Sequence, residues 1–271
     1  MISKILVVCF AAVIIGFGLV ETVNAGNLVL NGSFEQTQFN GTSYELGSNN
    51  WKPTGITGSG LTNWTNGSNS QGGSVYNLWF NASNATTVDA VSQYPSEPQR
   101  LSASFTGSSP DGGNFVAMDG DPSVNGALSQ QISGLTVGAD YRLSFYWGAI
   151  ELSNRHGYTT ESIHVTLGDS PMQAVSYGDP NGPDSQKLAP NAFTGWIQAT
   201  MDFQADSTSE LLSFLSVGTP NGLPPIALLD GVSLVEASSV PEPSSLALSA
   251  LGLIGFVVIR SRRRRITSTL A

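Results

Sequence analysis

The most regular feature of the sequence is an alternation of apolar and polar residues at period two. It is clearest at 141–149, where the odd-numbered positions are Tyr, Leu, Phe, Trp and Ala. That period places one face of a β-strand against a core and leaves the other face toward water. The same alternation recurs at 162–167 and 197–203, so these segments are also predicted to be strands.

Two further segments carry apolar residues in a less regular way. In 226–234, Ile226, Leu228, Val232 and Leu234 are predicted to share one face, which Asp230 interrupts. The segment 211–217 is apolar on both faces, which predicts a strand that is covered on two sides.

The remaining pattern completes an all-β prediction. Strands are also expected at 115–118 and 128–132, and turns rich in Gly, Asn, Asp and Pro separate the apolar segments. No stretch of this region has helical periodicity. We predict one antiparallel β-sandwich of jelly-roll type over 27–237, with a loop-rich insertion at about 40–74, where Gly, Asn, Ser and Thr dominate.

Each end of the chain has a continuous apolar run instead. At the start, a lysine precedes an apolar run, and small residues end at Ala25, so 1–25 is predicted to be a signal peptide cut after Ala25. A retained anchor is the alternative, but the run is short for a membrane span. The chain's single cysteine, Cys9, would leave with this segment.

The C-terminal segment, 240–271, has three parts. Pro241, Glu242 and Pro243 precede an apolar stretch at 246–259, and an arginine-rich tail at 260–265 follows, which includes Arg262, Arg263, Arg264 and Arg265. As a helix, the apolar stretch would be about 21 Å long against a hydrocarbon core of about 30 Å. We predict a short transmembrane helix that inserts transiently in the inner membrane, with its arginines in the cytoplasm.

This three-part pattern resembles the PEP-CTERM sorting signal of exopolysaccharide-producing bacteria, which is also known as an ice-binding protein C-terminal domain. The resemblance implies that an exosortase, a transpeptidase-like membrane protease, recognises the signal and removes the tail. The protein would then be released or anchored again at the cell surface. An ordinary tail anchor is the alternative, but it does not require Pro-Glu-Pro before the span.

Removing both ends changes the charge of the protein. Six of the 11 basic residues and two of the 20 acidic residues lie in the terminal segments, which leaves 5 basic and 18 acidic residues and a net charge of −13 on 27–240. A surface of this sign argues against nucleic acid and other anionic polymers as partners. Neutral polysaccharides, cations and proteins stay possible.

The body resembles galactose-binding-like modules at both of its ends. The segment 27–35 resembles their opening strand and 228–234 their closing strand. In such modules a structural Ca²⁺ often joins these two strands, and the matching carboxylates here are Glu35 and Asp230. The alternative is that Asp230 accepts hydrogen bonds from turn amides and that Glu35 is solvated.

Five tryptophans lie in the predicted body, and exposed tryptophans can stack on sugar rings. Trp147 and Trp196 are assigned to the core, because they belong to predicted strands. Trp51, Trp64 and Trp79 are therefore the candidate glycan-binding residues.

Signals for catalysis are weak. Glu151, Arg155, His156 and Glu161 form a charged group that could line a site, but a solvated loop is the preferred interpretation. The spacing of Asp111, Asp119 and Asp121 does not match an EF-hand, and a β-turn is favoured there.

Together these features predict a secreted, surface-sorted protein of the extracellular or biofilm matrix that is not an enzyme and binds neutral polysaccharide. A matrix protein without a specific ligand and a polysaccharide hydrolase are the alternatives. An ice-binding role is disfavoured, because the body has no regular array of threonines.

Overall fold

The computed structural model describes residues 26–48, 51–67, 75–223 and 225–237. The predicted signal peptide, apolar C-terminal helix and arginine tail lie outside these ranges. Within the described part of the chain, no helix is long and apolar enough to span a membrane. The described residues form strands and one short 3-10 helix, Asp184–Gln186. The strands are β1 Tyr44–Glu45, β2 Thr65–Asn66, β3 Asn77–Phe80, β4 Phe115–Asp119, β5 Leu128–Ser133, β6 Asp140–Ile150, β7 Thr160–Leu167, β8 Gln173–Tyr177, β9 Ile197–Gln204, β10 Ser209–Thr219 and β11 Ile226–Glu236.

The strands build two sheets that face each other. One sheet has the order β1-β3-β4-β11-β6-β9 and the other β2-β5-β10-β7-β8, and every strand pair is antiparallel. Strands that are neighbours in a sheet are mostly distant in sequence. The prediction of an all-β antiparallel sandwich of jelly-roll type is confirmed.

The period-two alternation accounts for the core between the sheets. In β6, Tyr141, Leu143, Phe145 and Trp147 are buried and point toward the second sheet, as predicted. Their neighbours in β9 alternate in the same way, because the two strands pair residue by residue.

The prediction that the apolar residues of β11 share one face of the strand is wrong. Ile226 and Leu228 lie in a cluster on the outer side of the six-stranded sheet, whereas Val232 and Leu234 lie in the core between the sheets. The pairing with β6 shifts register between Asp230 and Ser233, and Gly231 has a φ of +58°. This bulge inserts one residue and exchanges the two faces of the strand. The four residues therefore do not share a face.

The first half of the six-stranded sheet is buried on both sides. Its outer face carries Leu78, Phe80, Phe115 and Ala117 under a cover formed by 82–105 and 193–196. The covering loops contribute aromatic rings of their own, including Phe105, which lies 5.1 Å from Phe115 between ring centroids. The sheet is thus the middle layer of three at this position.

The described residues cover the five-stranded sheet on one side only. β10 alternates between buried and exposed residues, and Leu211 on its outer side is 47% exposed. The prediction that 211–217 is covered on two sides is therefore wrong. Leu215 and Val217, also on its outer side, are half-buried.

The start of the domain also differs from the prediction. The segment 27–35 is not a strand, because Asn31 and Phe34 have φ values of +53° and +55° that turn the chain. It nevertheless lies along the closing strand. The Leu28 N–H donates to the Leu234 carbonyl (2.9 Å), and the Val232 N–H donates to the Gly32 carbonyl (2.9 Å).

The described part of 40–74 is not an insertion. It supplies the edge strand of each sheet, β1 and β2, and buries Leu46, Leu61 and Trp64 in the core between the sheets. The side chain of Asn77 joins these pieces inside the domain, donating to Asn66 Oδ1 (2.8 Å) and to the Gly126 carbonyl (3.0 Å).

Two of the three candidate glycan-binding tryptophans belong to this core. Trp64 and Trp79 are buried, and each indole N–H donates a 2.9 Å hydrogen bond, to the carbonyls of Asn31 and Phe34 respectively. Neither can present its ring to a sugar, which corrects that assignment.

The other three tryptophans differ in burial. Trp51 is half-buried. Trp147 is in the core as predicted, whereas Trp196 is half-buried beside Phe115.

Substitution of the tryptophans tests this arrangement. Trp64→Ala and Trp79→Ala should each lower the free energy of unfolding by about 3–5 kcal/mol, because each leaves a large cavity and an unpaired carbonyl. Trp51→Ala should cost less than about 1 kcal/mol. Urea denaturation of the three variants measures these differences, and equal effects for all three would contradict the burial of Trp64 and Trp79.

Candidate functional site

A cavity of about 250 Å³ opens at one end of the sandwich. It lies where β4 and β6 end and where β11 begins, since Asp119, Leu152 and Gly222 all line it. The covering loop supplies another wall at 94–99, and Tyr76 contributes from the residue before β3. Five separate segments of the chain therefore meet around this cavity.

Two tyrosines form the aromatic part of the lining. The rings of Tyr76 and Tyr94 meet edge to face with their centroids 5.7 Å apart. Tyr94 is 42% exposed, whereas Tyr76 is buried. Burial raises the pKa of the Tyr76 phenol, and the nearby carboxyls of Glu45 and Asp119 raise it further. Tyr76 thus stays a neutral hydroxyl, and Tyr94 offers part of its ring to a bound molecule.

Four polar atoms of the lining residues are buried without a hydrogen-bond partner among the described residues. They are Gln99 Oε1, Asn154 Oδ1, Arg155 Nε and the hydroxyl of Tyr76, which has Ser92 nearby. The other end of each amide is held in place: Gln99 Nε2 donates to the Tyr94 carbonyl (3.5 Å) and Asn154 Nδ2 donates to Glu97 Oε2 (3.1 Å). Buried polar groups are rarely left unpaired, so these atoms make the cavity a candidate binding site.

The pKa values of two aspartates that line the cavity, Asp119 and Asp121, are shifted in opposite directions. Burial raises the pKa of Asp119 to about 7. The Asp121 N–H, which donates to Asp119 Oδ1 (2.8 Å), lowers this pKa, the charge of Asp121 raises it, and the charge of Arg155 lowers it. Burial also acts to raise the pKa of Asp121, but hydrogen bonds from Ser123 and from the Gly222 N–H lower it below its usual value. Asp121 Oδ1 accepts the Ser123 N–H (2.9 Å) and hydroxyl (2.7 Å), so this residue organises a turn, as predicted.

Glu35 and Asp230 lie in one region on the outer side of the six-stranded sheet. Asp230 is fully buried. Its Oδ2 accepts the Ser109 hydroxyl (2.5 Å) and its Oδ1 accepts the Gly231 N–H (2.8 Å). Both oxygens of Glu35 are bound by Asn114, through its backbone N–H and its side-chain amide (2.5 Å each). Burial raises the pKa of Asp230 to about 8, and the charges of Asp111 and Glu35 add to the shift.

These carboxylates offer the hard oxygen donors that Ca²⁺ prefers. No positively charged side chain contributes to the shift of Asp230, so a cation would relieve the repulsion between Asp230, Asp111 and Glu35. The described residues contain no group of three or more His, Cys, Asp or Glu side chains arranged to hold a metal. A cation here would therefore need backbone carbonyls as further ligands.

The charged group after β6 is not a solvated loop. Glu151 is fully buried, and its two carboxylate oxygens accept the N–H groups of Gly157 (2.9 Å) and Asn191 (2.7 Å). Glu161 is buried too and accepts the Thr159 hydroxyl. Only Arg155 of the four lines the cavity, and His156 is exposed. Glu151 thus orders two loops rather than facing a ligand.

The cavity and the ends of the domain lie at opposite poles of the sandwich. Ile226, the first residue of β11, pairs with Asp119 and Ile150 near the cavity. Glu236, its last residue, lies about 33 Å away at roughly 3.3 Å per residue. Asn27 Oδ1 accepts the Leu234 N–H there (2.9 Å), so the first and last described residues meet at that pole.

Comparison with known families identifies the C-terminal segment. Residues 239–264 match the PEP-CTERM protein-sorting motif, which confirms the predicted sorting signal. The motif implies an exported protein that is recognised by an exosortase and located at the cell surface or outside the cell. The pole where β11 ends is therefore the pole that leads into the sorting motif.

Over the whole chain the likenesses are weaker. The chain is 26% identical over 245 residues to Halomucin of Haloquadratum walsbyi. The aligned region is 90% of this chain but only 2% of the length of Halomucin. Similar solved structures include TmCBM61 in complex with β-1,4-galactotriose (13% identity, TM-score 0.38, covering 78% of this chain and 99% of that chain). A putative sugar binding protein from Bacteroides thetaiotaomicron has 12% identity and a TM-score of 0.36, over 78% of this chain and 100% of that chain.

The sequence singled out only part of the site: Arg155, Asp119 and Asp121 were among its charged candidates and line the cavity, whereas the other residues were missed. Tyr94, Gln99 and Asn154 lie in loops without a recognised motif. One feature of the sequence could have indicated Tyr94 as a site residue: it is followed by Pro95 and Pro98 in an otherwise polar segment. Such a loop is rigid enough to hold a side chain at a site.

The buried carboxyls predict a dependence of stability on pH. The pKa values of Glu45 and Asp119 are raised to about 7 and those of Glu161 and Asp230 to about 8, chiefly by burial. Groups with raised pKa values stabilise the fold fully below their unfolded values, near 4, and lose this contribution progressively as the pH rises from there to their folded values of about 7 and 8. With chelator present, the melting temperature should fall between about pH 5 and pH 8.

Calorimetry across this range checks the prediction. Glu161→Gln should flatten the upper part of the curve, because the amide stays neutral at every pH. A melting temperature that stays constant or rises between pH 5 and pH 8 would show that the pKa values of these carboxyls are not raised in the folded protein.

Proposed function

We propose that this protein binds a neutral polysaccharide outside the cell through the cavity at the end of the sandwich. The observation that carries the proposal is the set of unpaired buried atoms of Gln99, Asn154 and Arg155 beside the exposed ring of Tyr94. Two acceptors and one donor match the hydroxyls of a sugar, which can both donate and accept. An aromatic edge beside such groups suits the apolar face of a sugar ring.

Charge supports a neutral ligand. Glu97, Asp119 and Asp121 line the cavity against the single cation Arg155, and the whole body carries an excess of acidic residues. A sugar with carboxylate or sulfate groups would be repelled both by the cavity lining and by the net negative charge of the body. A neutral sugar meets none, and it can pair with carboxyls through its hydroxyls.

We infer that sorting delivers this activity to the extracellular or biofilm matrix. We infer that the signal peptide is cut after Ala25, that 246–259 inserts transiently in the inner membrane, and that an exosortase acts at 241–243. The cavity is at the pole opposite the one that leads into the sorting motif. A protein attached in this way can bind a polysaccharide before or after its release.

Binding assays test the proposal directly. The protein should bind at least one member of a panel of neutral polysaccharides, and Tyr94→Ala and Asn154→Ala should each weaken that affinity by about 10-fold or more, through loss of stacking or of a hydrogen bond. Tyr177→Ala is the matched control, because this exposed tyrosine does not line the cavity. Isothermal titration calorimetry gives the affinities.

Absence of binding to the whole panel would favour the alternative of a matrix protein without a specific ligand. Binding that Tyr94→Ala and Asn154→Ala leave unchanged would place the ligand on another surface.

We also propose that a structural Ca²⁺ binds at Asp230 and Glu35. In support, Asp230 is a fully buried carboxylate with two like charges nearby and no basic residue to balance them. Such an ion would link the 109–114 loop and the segment at 35 to the closing strand. It would thereby hold together a domain whose described chain contains no disulfide.

Calcium should raise the melting temperature by about 5–10 °C relative to chelator, the shift expected when the ion is at about 100 times its dissociation constant in a domain of this size. Asp230→Asn should remove this difference, whereas Asp169→Asn, an exposed aspartate elsewhere, should preserve it. Equal melting temperatures of the parent protein with calcium and with chelator would remove the metal from the account.

A further inference from the structure

The shape of the cavity restricts how a polysaccharide can enter it. Its volume of about 250 Å³ is at or below the lower end of the range for small-molecule sites, about 300–1,000 Å³. Its walls come from the covering loop at 94–99, from the turn at 119–124, from 152–155 and from Gly222. A cavity of this size admits one sugar residue, whereas several consecutive residues of a chain would need a larger space.

The neighbouring surfaces offer little to an extended chain. A polysaccharide bound along its length stacks successive residues on aromatic rings. Alternation along β5, β7, β8 and β10 gives the residues on the outer side of the five-stranded sheet, and none of them is Trp, Tyr or Phe. Leu211, Leu215 and His164 are the largest side chains there.

The outer side of the other sheet is also unsuited to a long ligand. One half of it is covered by 82–105 and 193–196. The other half, on β6 and β9, has the exposed ion pair of Arg142 with Asp202 and only one aromatic ring, the half-buried Tyr146. The described surface thus presents no row of rings on either sheet.

The polar groups of the cavity also match a single residue. Gln99 Oε1 and Asn154 Oδ1 are unpaired acceptors and Arg155 Nε–H is an unpaired donor; all three are buried, so a hydroxyl would pair with them after a small rotation of their side chains. Asp119 lies close to Arg155. A residue inside a chain has two of its positions blocked by glycosidic links, whereas a terminal residue has only one. A terminal residue therefore has more free hydroxyls for these closely spaced partners.

We propose that the cavity binds the terminal residue of a neutral glycan and excludes residues in the interior of a chain. This proposal rests on the proposed function and narrows its ligand to chain ends. Tyr94 would contact the terminal ring at the mouth of the cavity, and the second residue of the glycan would already lie in solvent. Affinity would then depend on the number of chain ends and not on chain length.

A length series separates the two levels of the proposal. The full-length protein in detergent is titrated with galacto-, gluco-, manno- and xylo-oligosaccharides of one to six residues by isothermal titration calorimetry. Within the series that binds, the dissociation constant should change by less than about 3-fold from two to six residues. Tyr94→Ala should weaken binding of the dimer and of the hexamer by the same factor, and Tyr177→Ala should change neither.

Two other results overturn the proposal in different ways. An affinity that rises 10-fold or more from two to six residues would show that a longer stretch of chain is bound, which removes end recognition but keeps polysaccharide binding. No binding by any of the four series would remove both. Methylation of the hydroxyls on the non-reducing terminal residue gives a second check, because it should abolish binding if that end enters the cavity, and reduction of the other end should do so if the reducing end enters.

Discussion

The architecture depends on one constraint, which is that β4 and β11 are apolar on both faces. Val116 and Leu229 face the second sheet, whereas Ala117 and Leu228 face the opposite way. Leaving the second face in water would forgo roughly 25 cal/mol for each Å² of apolar area. The chain therefore needs a cover on the outer side of this sheet, and 82–105 with 193–196 provides it. A two-layer sandwich becomes three layers deep at this position.

The candidate site is a consequence of that cover. The loop that buries Leu78 and Phe80 continues past the edge of the sheet to 94–99, where it meets the ends of β4 and β6. Its polar residues there face the turn at Asp121 and the loop that Glu151 holds in place. The site is thus formed by segments whose first role is to shield the sheet. Loops supported in this way by a rigid scaffold commonly carry binding residues.

The sequence predicted the strands better than it predicted their surroundings. Period-two alternation identifies β6 and β9 because each strand has one buried face and one more solvent-exposed face. It fails at β11, where the bulge after Asp230 exchanges the faces, and a bulge with Gly231 at positive φ leaves no mark on the hydrophobic pattern. It fails at β10 for the opposite reason, since an apolar Leu211 can lie on an open face.

The site was harder to predict, because its residues share no motif and come from distant parts of the sequence. The sequence-based prediction chose tryptophans as glycan-binding residues. A ring can contact a sugar only where it is exposed, and Trp64 and Trp79 are buried in the core. Tyr94, Gln99 and Asn154 are ordinary residues until the fold brings them together. By contrast, the sorting signal was readable directly, since its three parts are consecutive.

The most direct test of the central claim is hydrogen–deuterium exchange of the protein with and without a bound neutral polysaccharide. Binding at the cavity should slow exchange of backbone amides at 94–99, 119–124 and 152–155 and leave β7, β8 and β10 unchanged. Protection confined to the open face of the five-stranded sheet, with no change around the cavity, would contradict the account.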